Sequence, residues 1–145
     1  MPYNIFSKSN LNSFSAIIRN FAVKQVYMAY EKKIPVDLDC PLRLTMSLID
    51  SKWKSCILDE LRSGEALRPS ELHRRLPEAA PRVLDIQLKE MADDGLVDKT
   101  IYAELPPRSE YVITDLGRSL LPIIDAMLRW GEEHFDVFER KYGGR

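Results

Sequence analysis

The chain has 145 residues, 45% hydrophobic and 30% charged, with a formal net charge of −1 and two cysteines. That length suits one domain with a real core, two cysteines exclude a disulfide scaffold, and no apolar run approaches the roughly 20 residues that a membrane span needs. No basic start, apolar stretch and small-residue cleavage site marks a signal peptide, so the expected compartment is the cytoplasm, with reduced thiols and no membrane partner.

After an irregular opening, residues 13–33 predict a helix, because Phe14, Ile17, Ile18, Phe21 and Met28 form an apolar stripe at helical spacing. Three readings stay open for it: packing on its own domain, a dimer-stabilising arm, or partial disorder. An extended connector around Pro35 leads to two further helices, 41–49 and 53–61. Leu44, Leu48 and Ile49 face inward in the first, Trp53, Ile57, Leu58 and Leu61 in the second, and Gly64 terminates it. Trp53 reads as a core anchor before a ligand platform, and Cys56 as a buried, inert thiol on the same inward face. Cys40 differs, since it directly precedes Pro41 and a helix start. The positive helix end and Arg43 favour its thiolate, while Asp37 and Asp39 oppose it.

Residues 69–96 predict two short helices joined by a proline-bounded turn. The first opens at Ser70 as its cap, buries Leu72 and Leu76, and stops because Leu76 precedes Pro77. Pro81 suits the first position of the second, where Leu84, Leu88 and Met91 recur at the helical period until Gly95 ends it. Arg82, Asp85, Ile86, Lys89 and Asp93 fall on the opposite side, which gives a helix docked by one face and polar on the other. That pairing is a helix-turn-helix, whose second helix can lie in a DNA major groove. Residues 96–102 and 110–113 favour strands around a proline-broken turn, a β-hairpin wing with Arg108 at its tip. Thr114 caps a short helix over 115–121, which Pro122 breaks. Beyond it Ile123, Ile124, Met127, Trp130, His134 and Phe138 make a broad apolar side, widened by Leu128, Phe135 and Val137. One small domain rarely buries so much on a terminal helix, so Ile124, Met127, Trp130, His134 and Phe138 are expected in a dimer seam. His134 reads as an interface residue and not a metal ligand: the other histidine, His73, stands at no ligand spacing, and neither metal nor cofactor is expected.

The segments CPLRLTMSLIDSKWKSCILDELRSG, SELHRRLP, PRVLDIQLKEMADDGLVDKT and YAELPPRSEYVITDLGRSLLPIIDAMLRWG resemble the HxlR-type winged helix-turn-helix regulators, which are MarR-like, over residues 40–135. Cys-Pro, Lys-Trp, Pro-Pro-Arg-x-Glu-Tyr and Thr-Asp-Leu-Gly stand in that family's order and spacing. The resemblance implies a mainly α fold with a small hairpin wing. Residues 1–39 would be an N-terminal extension, 40–114 the winged DNA-binding domain and 115–145 the dimerisation helix. It also implies that a cysteine at the place of Cys40 serves some members as a redox or electrophile sensor; a plain structural role is the alternative.

On that resemblance Arg82 and Lys89 match the family's usual cations, whereas Asp85, Ile86 and Gln87 stand where many relatives show Thr-Gln-Arg, and Ala80 replaces a common Ser. Asp85 would be repelled by phosphates unless it accepts from a cytosine amino group, and Ile86 suits a thymine methyl. Ser70, Arg74 and Arg108 are expected backbone contacts. The charge is awkward for this reading: between residues 62 and 108 eight basic side chains face nine acidic ones, so phosphate attraction depends on their sidedness. A protein-interaction module without DNA binding is the alternative. An enzyme is disfavoured, for there is no Gly-rich phosphate loop, nucleophile elbow or His-Glu metal motif. The sequence therefore predicts a homodimeric DNA-binding regulator, a repressor before an activator, on a pseudo-palindromic double-stranded operator. Its effector, a small molecule or an oxidant, is left open.

Overall fold

The computed structural model describes residues 35–143; the helix expected over residues 13–33 lies outside them. The element order is α1 (Pro41–Ile49), α2 (Lys54–Glu60), α3 (Pro69–Arg75), α4 (Pro81–Asp93), β1 (Val97–Tyr102), β2 (Arg108–Ile113), α5 (Asp115–Ser119) and α6 (Leu121–Tyr142). This is the mainly helical winged architecture that the pattern predicts.

Ile57, Leu58 and Leu61 from α2 and its end, Leu72 from α3, and Leu84, Leu88 and Met91 from α4 are fully buried together. Burying each such side chain contributes about 1.5–3 kcal/mol, far more than helix propensity in segments this short, so the three helices stand by mutual packing. The α4 exit is a Schellman motif. Gly95 takes φ +75°, its N–H donates to the Ala92 carbonyl at 3.1 Å, and the Leu96 N–H donates to the Met91 carbonyl at 2.9 Å. Leu96 is thereby buried beneath α4 and the chain leaves directly into β1.

The strands pair antiparallel from Val97↔Ile113 to Tyr102↔Arg108. Val97, Tyr111 and Ile113 sit on the core, while most of β1 is exposed. Leu67 bridges Tyr111 through two backbone hydrogen bonds of 2.9 and 2.8 Å, which ties the entry of α3 to the wing. Thr114 caps α5 as expected. Its hydroxyl accepts from the Gly117 N–H at 3.0 Å and donates to the Gly95 carbonyl at 2.7 Å. A Cβ on Gly117 would collide with the Leu96 carbonyl oxygen, so glycine is required there.

α6 departs from the domain under the control of Arg62, whose guanidinium binds Asp125 at 2.6 Å, while Arg118 donates to the Arg62 carbonyl at 3.0 Å. Ile124 is 6% exposed and packs in the domain's own core. This corrects its expected place in a dimer seam: the first turns of α6 are still folding against α2. Beyond it Met127, Leu128, Trp130, Phe135 and Phe138 are exposed. Cys56 also departs from expectation. It is only half-buried and lines an open groove between α2 and α6 with Asp59, Met127 and Phe135. The inward face of α2 is carried instead by Lys54, Ile57 and Leu58, with Trp53 half-buried at the helix cap.

Candidate nucleic-acid interface

The surface opposite the core side of α4 is built by the same packing that buries Leu84, Leu88 and Met91. Arg82, Asp85 and Asp93 are exposed and Ile86 and Lys89 half-exposed, as the helical period predicts. Gln87, one of the departures from the family pattern, is buried and turned into the domain. Pro81 occupies the first turn after Ala80, which offers no side-chain cap. The α4 N-terminus therefore depends on packing and not on capping.

The cap of α3 stands two residues earlier than expected. Arg68 is its cap residue and Ser70 lies inside the first turn, exposed, with no capping role. Arginine has no acceptor to give the helix; the stabilising contact is the Glu71 carboxylate accepting the Arg68 backbone N–H at 2.7 Å. Ser70 and Arg74 are exposed on the solvent side of α3.

Several of these charges pair with one another. Arg68 approaches Glu110 at 3.7 Å, and Arg75 approaches Glu60 at 3.5 Å and Glu65 at 3.9 Å. Arg74 and Arg82 have no carboxylate partner among the described residues. Arg68 and Arg75 are thus paired, while Arg74 and Arg82 stand exposed on the helix pair, which also presents the exposed Asp85 and Asp93 of α4.

Arg108 is not at the wing tip. It opens β2 opposite Tyr102, behind the loop of residues 103–107. Its guanidinium lies 4.1 Å from the Tyr102 ring centroid and 3.2 Å from both Glu104 and Glu110. A side chain held by two carboxylates and an aromatic face shapes the wing; the sequence pattern Pro-Pro-Arg gave no sign of those partners.

Two contacts that sequence reasoning missed reach α4 from neighbouring helices. The Lys54 ammonium, 2% exposed, meets the Glu90 carboxylate at 2.7 Å and joins α2 to α4. Burial, then Asp94 and Asp93, push the Glu90 carboxyl up from its ordinary range even with that ammonium present. On the outer side His73 of α3 meets Asp85 of α4, Nε2 to Oδ1, at 3.1 Å. At the wing's base Lys99 lies 5.6 Å from the Tyr111 ring centroid, and desolvation pulls its ammonium below the usual range.

Cys40 stands where expected, as the residue before α1, with extended backbone and half-buried. Hydrogen bonding from the Arg43 and Leu42 backbone amides lowers its thiol pKa. The Arg43 guanidinium itself is engaged by Asp37 at 3.4 Å and Asp39 at 4.0 Å, so the helix end does more for the thiolate than the neighbouring cation.

Among the described residues no group of three or more metal-ligating side chains is assembled, and no helix is long and apolar enough to cross a membrane. The HxlR-like helix-turn-helix family matches residues 48–139. An uncharacterised HTH-type transcriptional regulator of Bacillus subtilis, YybR, is 37% identical over 113 residues, which cover 77% of this chain and 90% of that protein. A second, from Methanothermobacter thermautotrophicus, is 41% identical over 93 residues, 64% of this chain and 70% of its own length. Among solved structures, the redox regulator HypR in its reduced form is 37% identical with a TM-score of 0.63, covering 70% of this chain and 99% of HypR. A MarR-family regulator from Porphyromonas gingivalis gives 37% identity and a TM-score of 0.61 over 70% and 98%. With helix pair, wing and following helix matched in one run, the chain belongs to the HxlR-like helix-turn-helix family, DNA-binding transcriptional regulators of MarR-like fold and not enzymes.

Proposed function

We propose that the chain works as a homodimer that binds a pseudo-palindromic operator and represses transcription from it. The observation that carries this reading is the α3–α4 pair, whose buried stripe anchors it and whose outward side carries Arg74 and Arg82, which have no carboxylate partner among the described residues. In each subunit α4 enters one major groove. Arg82 reaches phosphate or a guanine edge near the helix start, Ile86 meets a thymine methyl, Lys89 adds a cation one turn on, and Ser70 and Arg74 contact the backbone. Arg108 contributes by holding the wing's shape.

Pairing of two subunits is supported by α6, on which Trp130 and Phe135 are 57% and 62% exposed beside Met127, Leu128 and Phe138. An apolar face of that size marks an association surface. His134 stacks on Trp130 with centroids 4.5 Å apart, and Phe138 follows at 6.1 Å from Trp130, so the seam would be aromatic. A dimer across a promoter blocks polymerase without further contacts, which favours repression.

Cys40 is the proposed site of control by an oxidant or electrophile. Its lowered thiol pKa supports this, as does the likeness to a protein described as a redox regulator in both reduced and oxidised forms. The test is a titration of purified protein against DNA from upstream of its own and neighbouring genes at several salt concentrations. A specific site with twofold-related halves and a negative salt slope supports the reading. Equal binding to every fragment, or none, refutes it and favours a protein-interaction module.

A further inference from the structure

We infer that His73 is a positioning residue that sets which base Asp85 reads. The inference rests on the DNA-binding reading above and deepens it. Asp85 lies on the outward side of α4, in the first half of the helix, where an acidic group is poorly placed for phosphates. One of its oxygens is taken by His73 Nε2 at 3.1 Å. A carboxylate only accepts, so His73 must carry its proton on Nε2 to make this bond. The bond has two consequences: it draws charge from the carboxylate, and it restrains the side chain so that Oδ2 is the free acceptor.

Asp85 is 55% exposed at its side chain and His73 25%, so the pair sits at the rim of the helix junction and not inside it. Exposed pairs contribute little to stability, and α3 and α4 are already joined by Leu72, Leu84 and Leu88 in the core. The geometry is better explained as orientation of an acceptor. A fixed carboxylate oxygen in the major groove takes a hydrogen bond from an exocyclic amino group, and cytosine N4 is the donor that suits an acid. Asp85 would then select a C·G pair at one position in each half of the operator. His73, on the neighbouring helix, would hold it to that choice.

The experiment is selection of binding sites from a randomised duplex pool by the full chain and by H73A, H73Q and D85N, with thermal unfolding measured alongside. Wild-type protein is expected to enrich C·G at one position per half-site. H73A should relax that preference on the order of tenfold while the other positions keep theirs. H73Q, whose amide N–H can replace Nε2–H, should restore it, and D85N should shift the preference to a different base. A purely structural histidine would lower unfolding temperature and overall affinity with an unchanged base profile; that result overturns the inference and leaves the DNA-binding reading standing. A wild-type protein that enriches no site overturns both.

Discussion

Lys54→Met isolates what holds α4 in place. Lys54 is 2% exposed and its ammonium lies 2.7 Å from Glu90, itself 12% exposed. Removing one member of a buried pair leaves the other charge uncompensated, which costs about 3–5 kcal/mol. The slight access of Glu90 to water places the expected loss near the lower end, about 3 kcal/mol, against a typical domain stability of roughly 5–15 kcal/mol. Methionine keeps the apolar stem packed, so cavity formation adds little. The sign with pH follows from Glu90: burial, Asp94 and Asp93 raise its folded pKa above the unfolded value, and loss of the ammonium raises it further. The protonated form then favours the fold. The deficit of Lys54→Met is fully present near pH 7 and shrinks as pH falls toward 5 and Glu90 takes up a proton. Urea unfolding at both pH values measures it, with Lys54→Met/Glu90→Gln as the control expected to recover most of the loss. A deficit below about 1 kcal/mol, the size of a surface pair, or one that grows on acidification, would refute the argument.

Three other expectations follow from the same geometry. Gly117→Ala should destabilise by about 1–3 kcal/mol, because the added Cβ meets the Leu96 carbonyl and comes within 2.9 Å of Ile113 Cγ1; thermal unfolding reads the loss, and an unchanged midpoint contradicts it. Since its thiol pKa is lowered, Cys40 should be alkylated faster than Cys56 near neutral pH, as peptide mass spectrometry would record; equal rates would remove the case for a sensor. Trp130→Glu should convert a dimer to monomers and weaken operator binding at least tenfold, while leaving the far-ultraviolet spectrum unchanged. Analytical ultracentrifugation decides that point, and a persistent dimer would move the seam off α6.

The parts legible in the sequence are those governed by short-range rules. Pro77, Pro81 and Gly95 bound the two helices, and Leu84, Leu88 and Met91 give the period of α4. Thr114 announces its cap, and the strands fall on either side of the Leu-Pro-Pro turn. What escaped depends on partners distant in the chain. A lysine after Trp53 is ordinarily solvent-exposed, and nothing near it reveals that Glu90 will meet it in the core. The Leu67–Tyr111 bridge is one residue long and leaves no alternating pattern. The prolines before Arg108 mark the turn but not its end, so the pattern puts this residue at the wing tip; the Tyr102 register moves it into the strand. Ile124 and Met127 share the broad apolar side of α6 and are indistinguishable by period, and only the packing of α2 assigns the first to the domain and leaves the second outside. His73 and Asp85 lie on different helices, so their contact follows from the crossing and not from either pattern.

On the proposed function, two copies of this chain present α4 to successive turns of one duplex. Footprinting on the selected operator, with protein-to-DNA stoichiometry measured on the same complex, reads out that arrangement. Two protomers per site and two protected major-groove patches about 34–36 Å apart along the helix axis are expected. Protection on only one turn by a single protomer, or protection unaffected by Arg82→Ala, would contradict it.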